Sequence, residues 1–208
     1  LAAVVYAAFN IPKKYAEITN LSKAPVIKID LDFRAMSQLK SDRTSSIELG
    51  RLNNTTWVRG EVADTHGSLR AKIRLKGDLP THWTAEKRMS LRVKVKSSSG
   101  ADGKSSILGM KEFSLHKLRA RQYPYEHVFQ EVLSDIGLIS VTHKIVLVYV
   151  NGNSWGLMDM QEHFSPTLLA KNEKKESPIL RLSNDDYWLR YARSEHNAIK
   201  KEEYWLSH

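Results

Sequence analysis

Ser68-Leu-Arg-Ala-Lys-Ile-Arg-Leu-Lys76 and Lys87-Arg-Met-Ser-Leu-Arg-Val-Lys-Val-Lys96 decide how this chain folds. In the first, Leu69, Ala71, Ile73 and Leu75 alternate with Arg70, Lys72, Arg74 and Lys76. In the second, Met89, Leu91, Val93 and Val95 alternate with Arg88, Ser90, Arg92, Lys94 and Lys96. Successive strand side chains point to opposite sides, so a period of two writes a strand with one apolar and one basic face. If the two strands pair, up to eight cations share a sheet face, and like charges opposite each other across a ladder are destabilising. An anionic partner over that face is one expectation. A solvated face whose long stems cover the sheet surface is the other.

Working outward, Ala24 to Phe33 predicts a strand around Val26, Ile27, Ile29 and Leu31, and Arg34 to Leu52 a helix with Gly50 near its end. Thr55 to Ala63 predicts a strand that Asp64-Thr-His-Gly67 turns into the first basic strand. Lys76-Gly-Asp-Leu-Pro-Thr-His-Trp83 reads as a loop, and Ser97 to Ser106, rich in serine and glycine, as a flexible connection before a strand at Met110 to Lys117. Pro124 opens a helix whose Val128, Phe129, Val132, Leu133 and Ile136 form one apolar stripe, closed by Gly137. Ile145 to Val150 is continuously apolar and reads as buried on both faces. Asn151-Gly152 then turns it into a second hairpin with Ser154 to Gln161. Ser165-Pro166 starts a helix to about Asn172, and Ile179 to Leu182 a short strand.

The 208 residues suit one domain with extensions, and the composition is that of a soluble chain. Thirty-two Lys and Arg against twenty-three Asp and Glu give a net charge of +9 and a pI near 9.6. That balance favours polyanionic partners: nucleotides, polyphosphate, anionic polymers or a membrane surface. Without cysteine there is no disulfide framework, thiolate metal site or cysteine nucleophile. The eight histidines show no His-x-x-x-His spacing, so no sequence-local metal site is expected. No Walker loop, Gly-x-Ser-x-Gly elbow or Rossmann glycine run is present. Nucleic acid is disfavoured as a partner, because no aromatics interleave the basic faces for base stacking. Leu1 to Phe9 is apolar but shorter than the roughly 20 residues of a membrane span, and reads as the remnant of an anchor or signal segment.

Five pieces in order, Arg74-Leu-Lys-Gly-Asp78, Lys87-Arg-Met-Ser-Leu-Arg-Val-Lys94, Gly109-Met-Lys-Glu-Phe-Ser-Leu115, Asp135-Ile-Gly-Leu138 and Val150-Asn-Gly152 through Gly156 to Glu162-His-Phe164, resemble the CotH family of spore-coat-protein-H-like atypical kinases, in its membrane-anchored bacterial branch. The resemblance covers roughly residues 68 to 172 and implies a protein-kinase-like fold with ATP and Mg as cofactors. It implies that Lys76, Gly77 and Asp78 approach phosphate, the glycine letting backbone come close. Lys87 or Arg88 would take the phosphate-binding lysine position, with Arg88-Met89 standing where the family more often has Lys-Lys. Glu126, or Glu131 second, would be the helix carboxylate that steadies it, and Met160, Gln161 and Glu162 the hinge that holds adenine. Arg92 joins the same basic face. The family's catalytic and metal-binding aspartates lie in a second, helical lobe. The 44 residues after Phe164 are too few for one, so no catalytic or metal residue is expected here and the chain alone is expected not to turn over. Asn184-Asp185-Asp186 holds the only aspartate pair in that tail.

The expected fold is therefore α+β: a twisted antiparallel sheet of about five strands with one packed helix, resembling a kinase-like small lobe, preceded by a strand-helix extension. The expected divisions are 1–24 as anchor remnant and linker, 25–54 as extension, 55–172 as the CotH-like lobe and 173–208 as the start of a C-terminal region. The expected function is the nucleotide-binding part of a kinase that phosphorylates an envelope or secreted protein or polymer acceptor, held at the membrane by an N-terminal anchor. The alternative is a non-catalytic cell-envelope module that holds a phosphorylated or acidic polymer on its basic sheet face.

Overall fold

The structure, a computed structural model, describes residues 24–52, 55–84, 88–96, 105–180 and 190. Its strands are β1 (Val26–Asp30), β2 (Val58–Asp64), β3 (Gly67–Leu75), β4 (Leu91–Val95), β5 (Glu112–Lys117), β6 (His143–Val150) and β7 (Asn153–Glu162). The helices are α1 (Phe33–Leu49), α2 (Tyr125–Asp135) and α3 (Pro166–Lys171), with single 3-10 turns at Pro80–His82 and Leu118–Arg121. The two basic strands pair antiparallel as β3 and β4, with Ile73 opposite Val93 and Leu75 opposite Leu91. Their apolar positions all point to the core: Leu69, Ala71, Ile73, Leu75, Leu91 and Val93 are at most 4% exposed.

The strands do not form an open sheet. They close into a seven-stranded barrel in the order β1-β2-β3-β4-β5-β7-β6, which corrects the expected twisted sheet with a packed helix and the kinase-like small lobe drawn from it. The closing stave is β1, the strand expected in a separate extension. It pairs antiparallel with β2, Lys28 opposite Ala63, and parallel with β6, Ile27 opposite Val148. Closure removes both sheet edges, so the apolar faces of all seven strands meet inside one another rather than against a helix. The Asn151-Gly152 turn fastens this seam. Both residues take positive φ, +48° and +76°, as a two-residue hairpin requires. Asn151 then donates its backbone N–H to Ile29 O and its Nδ2 to Leu31 O, and its Oδ1 accepts from Leu31 N at 2.8 Å.

Helix α1 is the helix that packs on the barrel. Asp32 caps it by accepting from Ala35 N at 2.7 Å, Gly50 ends it in the left-handed region, and Ala35, Leu39 and Met36 join the core. Helix α2, expected to lay its apolar stripe on the sheet, has that stripe only partly covered, with Val128, Val132 and Leu133 half-buried. Phe129 and Ile136 are each 57% exposed, and the one buried side chain of α2 is His127. The continuously apolar β6 is also covered on one side only: Val146, Val148 and Val150 are buried, whereas Ile145, Leu147 and Tyr149 are half-buried. Among the described residues no helix is long and apolar enough to cross a membrane. Residues 1–23, Lys87, most of the serine-rich connection and the Asn184-Asp185-Asp186 tail lie outside the described residues.

Candidate functional site

The cations of the outer face of β3 and β4 stand opposite one another, Lys72 across from Lys94 and Arg74 across from Arg92. Their repulsion is offset from within the chain. Glu112, on the neighbouring β5, accepts from Arg92 Nη1 and from Lys94 Nζ, each at 3.1 Å. The Trp57 ring lies 4.9 Å from the Arg74 guanidinium carbon and 5.4 Å from Lys94 Nζ, within cation–π range. Arg74 Nη1 also donates to Thr55 Oγ1 at 2.8 Å. Arg70, Lys72 and Lys96 remain exposed along the outer face.

At the end of this face opens a cavity of about 780 Å³. Arg74, Lys76, Gly77 and Asp78 enter it from the end of β3 and the loop after it, Arg92 from β4, and Gln161 and Glu162 from the end of β7. Of the residues singled out in the sequence, Lys76, Gly77, Asp78, Arg92, Gln161 and Glu162 thus share one site. Behind Lys76 and Gln161 lies the buried His116, whose Nε2 is 3.1 Å from Gln161 Oε1 and 3.4 Å from Lys76 Nζ. The His116 ring packs edge-on against His82, whose Nδ1 is 2.9 Å from Ser90 Oγ. Gly77 has φ +107°, and a Cβ there would fall 2.1 Å from His82 Cγ, so the glycine makes room for a buried ring. Phe164, Leu52, Leu79 and Leu180 supply an apolar rim.

His163 lies on the wall of the cavity among these cations. Burial, then the neighbouring Arg92, with smaller contributions from Lys76 and Lys94, push this imidazole down to about 4 against the opposing pull of Glu112. Glu162 is tied by Lys171 Nζ at 3.3 Å and accepts from Thr142 N.

The other singled-out residues lie elsewhere. Arg88 Nη1 donates to Trp155 O at 3.2 Å, and Lys117 has its pKa lowered by burial first and then by the charges of Arg88 and Arg43. Met160 is fully buried inside the barrel, and both neighbours of β7 pair with it and with Gln161, so this stretch offers no open backbone edge. Glu126 stands on α2 with Oε1 4.0 Å from His143 Nε2.

Three residues that no spacing in the sequence brings together do meet here. His127 of α2, His143 of β6 and Asp159 of β7 present ligand-type atoms all within 4.8 Å of one another. Burial alone would raise the Asp159 carboxyl, but the two imidazoles outweigh it and hold the group below its ordinary value.

The family described as CotH kinase protein matches residues 73–206, more than half of the chain. The chain belongs to the CotH kinase family. Comparison with curated proteins gives no match. The CotH match begins within β3, so it takes in the cavity's Arg74-Leu-Lys-Gly-Asp78 segment and the hairpin of β6 and β7, while β1, α1 and β2 precede it.

Proposed function

We propose that this CotH-family chain is the nucleotide-binding part of a kinase and holds the phosphates of ATP in the cationic cavity. The observation that carries the reading is the convergence of Arg74, Lys76 and Arg92 on one cavity bounded by apolar side chains at its rim. A triphosphate needs several cations at close range and a base needs an apolar wall, and the cavity volume suits a nucleotide-sized ligand. The donors present fit that group. Mg2+ accompanying ATP would supply further neutralisation of phosphate charge; Asp78 and Glu162 are the carboxylates that line the same cavity. The acceptor on this reading is a protein or polymer of the cell envelope.

Mg-ATP binding by calorimetry tests it, with single substitutions in two sets. Lys76→Ala and Arg92→Ala should each weaken binding by roughly 10–100-fold, because a hydrogen bond to a charged group contributes about 1.5–3 kcal/mol. Arg70→Ala and Lys72→Ala, on the exposed outer face, should change it little. Graded and equal losses over both sets, steeply dependent on salt, would instead mark the outer face as a polymer-binding surface.

A further inference from the structure

We propose that His127, His143 and Asp159 form a divalent-metal site of zinc type that fastens helix α2 to the barrel. The proposal is independent of the nucleotide cavity and uses none of its residues. Asp159 is fully buried on β7, and the side chains of His127 and His143 are 4% and 2% exposed. His127 Nε2 lies 3.3 Å from Asp159 Oδ1, and His143 Nδ1 lies 3.0 Å from Asp159 Oδ2. In a tetrahedral site with bonds of about 2.0–2.1 Å, ligand atoms stand about 3.3 Å apart, which both separations approach.

The alignment is as informative as the distances. His127 Nε2 approaches the carboxylate without hydrogen-bond geometry, and neither of its ring nitrogens makes a hydrogen bond although both are buried. His143 reaches both carboxylate oxygens from Nδ1, at 3.0 Å each, and turns its other nitrogen toward Glu126. Two imidazoles and one carboxylate suit zinc or cobalt over magnesium or calcium, with water completing the coordination.

The site also accounts for how α2 is held. Its apolar stripe is only partly covered, with Phe129 and Ile136 exposed, and its single buried side chain is one of the three ligands. An ion joining α2, β6 and β7 ties that helix where apolar packing does not, and a ligand bound only by the folded state stabilises it.

The test uses the full chain, stripped with a chelator and titrated with zinc chloride and, separately, cobalt chloride. One ion per chain, a raised unfolding midpoint and the intense visible absorption of four-coordinate cobalt are expected. Asp159→Asn, close in shape, should abolish stoichiometric binding. Glu126→Gln, half-buried and 4.0 Å from His143 Nε2, removes no ligand and should leave one ion bound per chain. A cobalt spectrum like that of the aqueous ion, or zinc bound equally well by Asp159→Asn, would overturn the proposal. The cobalt spectrum of the unsubstituted chain decides the matter even if Asp159→Asn does not fold. Mg-ATP binding is read separately on the same samples, so failure here leaves the cavity reading standing.

Discussion

Replacing Gly77 by alanine puts the packing at the mouth of the cavity to a quantitative test. The added Cβ would lie 2.1 Å from His82 Cγ, 2.3 Å from Cδ2 and 2.6 Å from Cβ, where carbons at ease sit about 3.5–4.0 Å apart. The ring cannot simply swing aside, because His82 is buried between Ser90 and the edge of His116. Forced overpacking of this kind costs about 1–3 kcal/mol. The backbone adds its own penalty, since φ +107° is a region an alanine enters at about 1–3 kcal/mol. Together these amount to about 2–6 kcal/mol, a large part of a typical folding stability of about 5–15 kcal/mol. Gly109 separates the two contributions: its φ is +87° but nothing lies within 4 Å of its Cβ position, so Gly109→Ala carries strain without a clash. Urea unfolding followed by tryptophan fluorescence reads both, helped by Trp83, whose Nε1 donates to Gly77 O at 3.1 Å. Gly77→Ala should lower the midpoint by about 1–3 kcal/mol more than Gly109→Ala at unchanged slope. Equal losses would show that the His82 ring moves freely, and the packing account of Gly77 would fail.

Glu112→Gln should destabilise the barrel by about 1.5–3 kcal/mol, because Arg92 and Lys94 lose their shared carboxylate and face Arg74 and Lys72 across the ladder; an unchanged urea midpoint at low salt would refute it. His163, held at about 4 against an ordinary 6.5, is neutral when folded but takes a proton when unfolded below 6.5. The stability it contributes is therefore complete above pH 6.5 and lost as pH falls toward 4, and His163→Gln should flatten that part of the stability profile. Phosphate in the cavity should also raise the His163 pKa, followed by NMR titration of the ring; a value indifferent to phosphate would mean that the anion binds elsewhere.

The hairpins were legible because their signals are local. A period of two writes β3 and β4 in any context, and Asn151-Gly152 demands positive φ from two adjacent residues whatever surrounds them. Closure was not legible, since nothing in Val26–Asp30 says that its second neighbour is a parallel strand more than a hundred residues later. The stripe of α2 misled for a related reason: amphipathicity states which residues share a side, not whether anything covers it. In the cavity, the Arg74 to Asp78 segment and Arg92 were readable as a basic cluster. Glu112 and Trp57, which neutralise much of that face internally, were not, because cross-strand partners are set by register. His127, His143 and Asp159 fell on three elements with no motif spacing, and only the fold of β6 back along β7 with α2 over them makes them neighbours.

The parallel seam also bears on how the chain is made. Leu31 and Asn151, which fasten it, are separated by 120 positions. At a synthesis rate of about 5–20 residues per second, the first strand waits roughly 6–24 s on the ribosome for its second neighbour. Throughout that interval Ile27 and Ile29 border an unpaired edge able to recruit another nascent chain. Late closure of a long loop is also slow, so the step that seals the barrel is expected to set the pace of folding. That edge falls on the part of the chain that precedes the family match.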